Sequence, residues 1–252
     1  MLPENFSLDN LGGEFAALKN AVLSGRDTAV FFAERNARAH LTSGLGRFFL
    51  YIAQDRVAAR AAAELMSEYT GKEVVFIPEK EDVLINTQAV LTGSLYERIS
   101  ALQKILSGEV AGATIGPEML LRYLPPVSAF KEAALELKKD SSYDVYALVE
   151  KLSLGGYKRE EIAEEKGSYS LRGDILDIFP SNTELPVRCE FFGDRLESLR
   201  LYAPDSLTSV KEIESVSIAP RSDILLSKED KEIILKRLSA FKKIPTAASS
   251  RC

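Results

Sequence analysis

Between residues 28 and 124 short continuous apolar runs alternate with amphipathic helical stripes, and two consecutive prolines, Pro125 and Pro126, end that pattern. The runs TAVFF (28 to 32), RFFLYIA (47 to 53), EVVFIP (73 to 78) and GATIG (112 to 116) have the unbroken apolar character of strands covered on both faces. Between them Val57, Ala61 and Leu65, with Ala58, Ala62, Met66 and Tyr69, form one helical stripe. Leu95, Ile99, Leu102 and Leu106 form another, and Ser94 with Glu97 reads as a capping box at its start. Strand, helix, strand, helix predicts a right-handed parallel α/β layer.

Beyond Pro126 the period changes. KEAALELKK (131 to 139) and YDVYALVEKLSLGG (143 to 156) predict helices, the second stopped by Gly155 and Gly156. Residues 167 to 202 are β-patterned, with Gly193 and Asp194 suited to a type II′ hairpin turn. In VRCEFF, alternation puts Val187, Cys189 and Phe191 on one face and Arg188, Glu190 and Phe192 on the other. Phe192 therefore stands among polar side chains. Gly173 can mark a bulge that shifts the phase of its strand, so the pattern leaves the face of Arg172 open. VKEIESVSIAP (210 to 220) supplies one more strand, and Ser227 is placed to cap a last helix carrying Ile234, Leu238 and Phe241 on one face. The tail PTAASSRC has no pattern and reads as the disordered end of a fragment.

Charge and composition remove several classes of function. With 32 basic and 37 acidic residues the net charge is -5, so no strong field awaits a polyanion and nucleic acid is disfavoured as the main partner. Cys189 and Cys252 cannot build a metal cluster or a disulfide framework, and Cys189, on the apolar face, reads as a small core residue of a reduced protein. The single histidine, His40, reads as structural. No apolar run approaches the roughly 18 residues of a membrane span. The N-terminus MLPENFSLDN lacks the basic and apolar regions of a signal peptide, and the chain is expected to be cytoplasmic and monomeric, with no membrane contact.

Catalytic chemistry finds little to work with. A P-loop places glycines after a first strand so that main-chain amides approach phosphates, and follows them with Lys and Ser or Thr. The corresponding junction here is VFFAERNARAHL, with no glycine between Ala33 and His40 and with Glu34 placed to repel phosphate. SGLGRFF lacks the lysine, and in TGKEVV Glu73 follows Lys72 just before a strand. Asp174 and Asp177 are three apart, which on a strand places them on opposite faces and argues against a paired-carboxylate site. The expectation is a binding module with no catalytic residues, no cofactor and no metal.

The run LGGYKREEIAEEKGSYSLRGDILDIFPSNTELPVRCEFFGDRLESLRLYAPDS resembles the signature of the N-terminal UvrB-homology region of the bacterial transcription-repair coupling factors, the Mfd family. That signature is approximately Leu-Gly-Tyr, Gly-x-Phe-x-x-Arg-Gly, Asp-Ile-Phe-Pro, Pro-x-Arg-x-x-Phe-Phe-Gly-Asp and Ser-x-Arg. This chain departs from it with Tyr169 where Phe is commoner, with Gly155 and Gly156 both before Tyr157, and with APDSLTS in place of a segment ending Gln-Arg-Ser. The repair protein UvrB shares several of these elements but carries a working P-loop, so the lack of one favours the coupling factors.

The resemblance implies a degenerate RecA-like, P-loop-NTPase-like parallel-sheet domain without a working P-loop, interrupted by a small α+β domain. On that reading residues 1–124 are the first half of the α/β domain, 125–205 the insert, and 206–252 the return strand and helix with the tail. It implies that the insert docks on UvrA, the damage-recognition ATPase of nucleotide excision repair. The family positions implicated in docking fall on Arg172, Arg188 and Phe192, and Glu190 shares the face of the last two. The parent implied is an ATP-driven DNA translocase that also engages RNA polymerase and double-stranded DNA through regions outside this chain. Two alternatives stand beside the UvrA-recruiting, non-catalytic reading. One is a UvrB-like ATP-dependent DNA-strand-opening protein, and the other is an intramolecular module that covers the UvrA site in the parent chain.

Overall fold

A computed structural model describes residues 13–31, 33–79, 88–225 and 228–241. The described residues form a mixed α/β structure with three sheets and, among them, no closed barrel, and the contacts divide the chain into two units, Met1–Leu124 and Pro125–Cys252.

The first unit carries helices α1 (Gly13–Leu23), α2 (Arg35–Ser43), α3 (Arg56–Thr70) and α4 (Gln88–Ser107), and strands β1 (Phe49–Ile52), β2 (Val74–Phe76) and β3 (Gly112–Ile115). The strands form a parallel sheet in the order β1-β3-β2, and a 3-10 turn, Pro117–Leu121, follows β3. Small residues explain why β3 occupies the centre. A Cβ on Gly112 would lie 2.6 Å from the Phe49 ring, so glycine lets that ring cross the central strand. Buried Thr114 donates its hydroxyl to the Ala59 carbonyl at 2.8 Å and ties β3 to α3. Helix α3 starts where the Asp55 carboxylate accepts the Ala58 N–H at 2.7 Å and stops at Gly71, whose φ of 64° a side chain would strain. Ala58, Ala59, Ala63 and Met66 face one core, against Phe49, Val74 and Phe76. Val75, Ile77, Ala101, Ala113 and Ile115 form a second core with Val110 and Met119.

Three expectations for this unit are corrected. The run TAVFF forms no strand over residues 28–31, where Val30 and Phe31 are exposed, and Phe32 lies outside the described residues. An apolar run reports a tendency to be buried, but a strand also needs a partner edge, and among the described residues β1, β2 and β3 pair only with one another. Ser94 and Glu97 do not open a helix, because α4 begins at Gln88 and Ser94 is buried inside it. Glu97 instead receives two hydrogen bonds from Arg60 of α3, at 2.7 and 2.8 Å. Val57, assigned to the buried stripe, is 78% exposed. His40 stacks on Tyr69 with centroids 4.6 Å apart, a packing role.

The second unit holds α5 (Val127–Ala133), β4 (Leu135–Lys138), α6 (Val145–Leu154), β5 (Lys158–Arg159), β6 (Ser168–Arg172), β7 (Ile175–Phe179), β8 (Val187–Phe192), β9 (Arg195–Tyr202), β10 (Ser209–Glu212), β11 (Ser215–Ile218) and α7 (Lys228–Phe241). Six strands make a sheet in the order β10-β9-β8-β7-β6-β5, antiparallel except for β5 beside β6. One face carries the core: Tyr169, Leu176, Ile178, Val187, Cys189, Phe191, Leu196 and Leu199 pack with Leu148 and Leu152 of α6. Helix α6 begins at an N-cap that the sequence reading did not single out: Asp144 accepts the Tyr146 and Ala147 N–H groups at 2.9 and 3.2 Å.

The segment KEAALELKK is not one helix. Helix α5 ends at Ala133 and β4 follows, with Leu135 and Leu137 buried and Glu136 and Lys138 exposed. Ala, Glu, Leu and Lys favour helix locally, but the Leu-x-Leu alternation lets β4 pair with β11 and bury two leucines, and that tertiary gain overrides propensity. Segment 210–220, read from the sequence as a strand of the α/β domain, thus supplies β11 to β4. The proposed cap Ser227, the tail with Cys252 and the N-terminal twelve residues lie outside the described residues.

Candidate protein docking face

The outer face of the six-stranded sheet is built by the same alternation that fills its core. Cross-strand partners share a face, and the register pairs Ser170 with Asp177, Asp177 with Arg188, and Arg188 with Arg200. Arg172 pairs with Ile175 and Ile175 with Glu190, so Arg172 and Glu190 stand on that face too. This fixes the face of Arg172. Gly173 is a turn residue, not a bulge: Arg172 and Ile175 are paired across Gly173 and Asp174, and Gly173 has a φ of 59°. One irregularity of the sheet lies in β9, where Glu190 pairs with Ser198 and Phe191 with Leu196, skipping Glu197, and another lies in β10 between Ser209 and Lys211.

At the centre of this face is a residue the sequence reading weighed only against Asp174. Asp177 has no exposed surface, and both of its oxygens are taken. Arg188 donates from Nε to Oδ1 at 2.7 Å and from Nη2 to Oδ2 at 2.9 Å, and Arg172 donates from Nη2 to Oδ2 at 2.8 Å. A buried carboxylate is costly to desolvate unless charge and hydrogen bonds compensate it, and two guanidinium groups do so here. The Arg188 guanidinium also lies 4.8 Å from the centroid of the Tyr202 ring, a cation–π distance. Tyr202 is buried, and its hydroxyl donates to the Ala163 carbonyl at 3.3 Å.

The electrostatics follow from this packing. Hydrogen bonding to Asp177 raises the Arg188 pKa further above its ordinary value, so its charge is fixed. Burial pushes the Tyr202 phenol up, with the Asp177 charge adding to it. The Cys189 thiol on the opposite face is also pushed well up, first by burial and then by Asp177, as befits an inert core residue. Glu190 accepts from Nη2 of Arg200, so it is engaged within the sheet. Arg172 keeps 45% of its side chain exposed and Arg188 17%.

Two Gly-Asp turns border the face at one end. Gly173–Asp174 joins β6 to β7 and Gly193–Asp194 joins β8 to β9, and Gly193 has a φ of 62°, as the expected type II′ turn requires at its first central position. The Phe191 N–H donates to the Asp174 carbonyl at 2.9 Å, which sets the turns side by side. Phe192, the last residue of β8, is 75% exposed beside them. The structure therefore brings Arg172, Arg188 and Glu190 onto one face, with Phe192 at its end. Beside Arg172, an open groove is lined by Arg159, Glu160, Glu161, Ile162, Ser170 and Leu171.

Asp177 was legible in principle. In DILDIF it is the polar residue between Leu176 and Ile178, and its alternation phase points it away from the core. Among the described residues no cluster of His, Cys, Asp or Glu is arranged to hold a metal, and no helix is long and apolar enough to cross a membrane.

Comparison with known proteins finds a family match over this sheet. The UvrB interaction domain family matches residues 135–223, a range that holds β4 through β11. The chain is 25% identical to the transcription-repair-coupling factor of Bacillus subtilis over 237 residues, which is 91% of this chain and 19% of that protein. It is 27% identical to the coupling factor of Myxococcus xanthus over 86% of this chain and 19% of that protein. With the coupling factor of Staphylococcus aureus strain MRSA252 the identity is 33% over 53% of this chain and 11% of that protein. The chain thus spans about a fifth or less of the length of these relatives. Residues 135–223 thus match the UvrB interaction domain family, and the chain is similar to the transcription-repair-coupling factors over much of its length.

Proposed function

We propose that this chain is the UvrA-recruiting module of a transcription-repair coupling factor, acting in transcription-coupled nucleotide excision repair, and that Arg172, Arg188, Glu190 and Phe192 form its contact set. The observation that carries this reading is an exposed phenylalanine at the end of a sheet face on which two arginines are held by a buried carboxylate. Arginine and aromatic residues are enriched among the few side chains that dominate protein–protein affinity. An acidic segment supports a protein partner over nucleic acid: residues 167 to 220 hold 5 basic and 9 acidic side chains.

Residues 125–205 are on this reading the docking insert, and the parallel sheet of the first unit is a degenerate RecA-like half-domain. The helix after residues 28–31 opens at Arg35 behind Glu34, without the glycines and lysine that hold a nucleotide, which supports an adaptor with no ATPase activity, no cofactor and no catalytic residue of its own. The translocase activity and the contacts to RNA polymerase and DNA belong, on the same reading, to the much longer parent. The monomeric, cytoplasmic state expected from the sequence is part of the proposal.

Calorimetric titration of the chain into purified UvrA tests it. Wild-type chain binds, and Phe192→Ala weakens binding about tenfold or more, equal to about 1.4 kcal/mol, without changing the fold because the ring is mostly exposed. Absence of binding by a folded chain, or unchanged affinity in both Phe192→Ala and Arg188→Ala, contradicts the assignment.

A further inference from the structure

The two arginines of the docking face are not independent surface side chains. Asp177 sits between them on β7, fully buried, and donates nothing: it accepts a two-pronged grip from Arg188 and one bond from Arg172, at 2.7, 2.9 and 2.8 Å. The Tyr202 ring at 4.8 Å stacks against the Arg188 guanidinium, so Arg188 is fixed both in its plane and above it. Arg172 gives one Nη2 bond to Asp177 and still has 45% of its side chain exposed, so the carboxylate anchors one end of a fork whose other donors remain outward. A free arginine has rotamer entropy to lose on docking, and an arginine already held loses less. The contrast is present on the same sheet: Arg159 on β5 is exposed and has no ion pair or hydrogen bond among the described residues.

We infer that Asp177 is the positioning residue of the docking face: it touches no partner itself, and it prepays the ordering of Arg172 and Arg188 so that UvrA meets a rigid pair of guanidinium groups. This deepens the UvrA-docking reading and rests on it for the identity of the partner. It assigns a role to a side chain that exposure alone would leave out of any interface.

Two measurements on the whole chain separate this role from plain stabilisation. The first uses the free protein, in which nuclear magnetic resonance follows the guanidinium Nε–H groups. The Arg188 Nε–H exchanges with water at least tenfold more slowly than that of Arg159, and Asp177→Asn abolishes the difference. Equal exchange of Arg188 and Arg159 in the wild-type chain overturns the inference, and this arm needs neither a variant nor UvrA. The second compares UvrA affinity in Asp177→Asn with that in Leu199→Ala, a core variant that destabilises the same sheet from its other face. Asp177→Asn weakens binding about fivefold or more and Leu199→Ala leaves the affinity of the folded chain within twofold. Equal effects of the two variants, or an affinity in folded Asp177→Asn within twofold of wild type, overturn it. Failure of the wild-type chain to bind UvrA removes the proposed function, while the exchange comparison still decides whether Asp177 holds the arginines.

Discussion

The two sheets of this chain treat their faces differently. In the parallel sheet the central strand β3 is buried along its whole length, and cores of small and branched residues lie on both of its sides. In the six-stranded sheet β8 alternates strictly, with Val187, Cys189 and Phe191 in the core and Arg188, Glu190 and Phe192 on the other side. A strand needed on both faces for packing has no side chain left over for another task. A sheet that completes its core from one face leaves the other free to carry charge, and that is where the candidate docking residues lie.

The sharpest way to break this comparison is to damage each sheet in turn. Leu176→Ala, at a fully buried site on the core face of β7, lowers stability by about 2–5 kcal/mol, measured by urea unfolding. A loss below about 1 kcal/mol would mean that the six-stranded sheet does not depend on this core. Gly112→Ala introduces a Cβ 2.6 Å from the Phe49 ring and costs about 1–3 kcal/mol by overpacking, while UvrA affinity of the folded chain stays unchanged. A parallel fall in affinity would show that the first unit contributes to docking.

Those two substitutions also mark what was readable in advance. The core face of β8 and the Gly193–Asp194 turn follow from strict alternation and from turn chemistry, both local signals. The strands β1, β2 and β3 were legible as apolar runs, yet TAVFF had the same signal and forms no strand over residues 28–31. Continuous apolar runs say that a segment prefers burial and say nothing about which edge will accept it. LELK was missed for the opposite reason: its composition suits a helix, and only pairing with β11, some eighty residues away in sequence (215 against 135), reveals a strand. At the site, Arg188, Glu190 and Phe192 were placed by period alone. Arg172 needed the cross-strand register, since Gly173 is compatible with either a bulge or a turn; the face of Asp177 was readable from DILDIF, but its bonds to both arginines needed the convergence of three strands.

A smaller effect sharpens the account of the ionic face. Glu190 is tied to Arg200 within the sheet, so Glu190→Gln removes an exposed-side ion pair and changes UvrA affinity by less than about threefold, against about tenfold for Phe192→Ala. Surface-plasmon measurements on the two variants side by side test the ranking, and a larger loss for Glu190→Gln would make it a direct contact of the first importance. The smallest change is expected at Cys189. In a Cys252→Ser background its buried thiol, whose pKa is raised by burial, reacts with a disulfide reagent at pH 8 only as the chain unfolds. Rapid labelling of the native chain would show that the core face of β8 opens.

Hydrogen–deuterium exchange of the chain with and without UvrA tests the central claim most directly, because it locates the contact without altering a residue. Slowed exchange in peptides spanning 172–175 and 190–195, with none in 49–76, is the predicted result. Binding accompanied by protection confined to the parallel sheet, with those two turns unchanged, would contradict it.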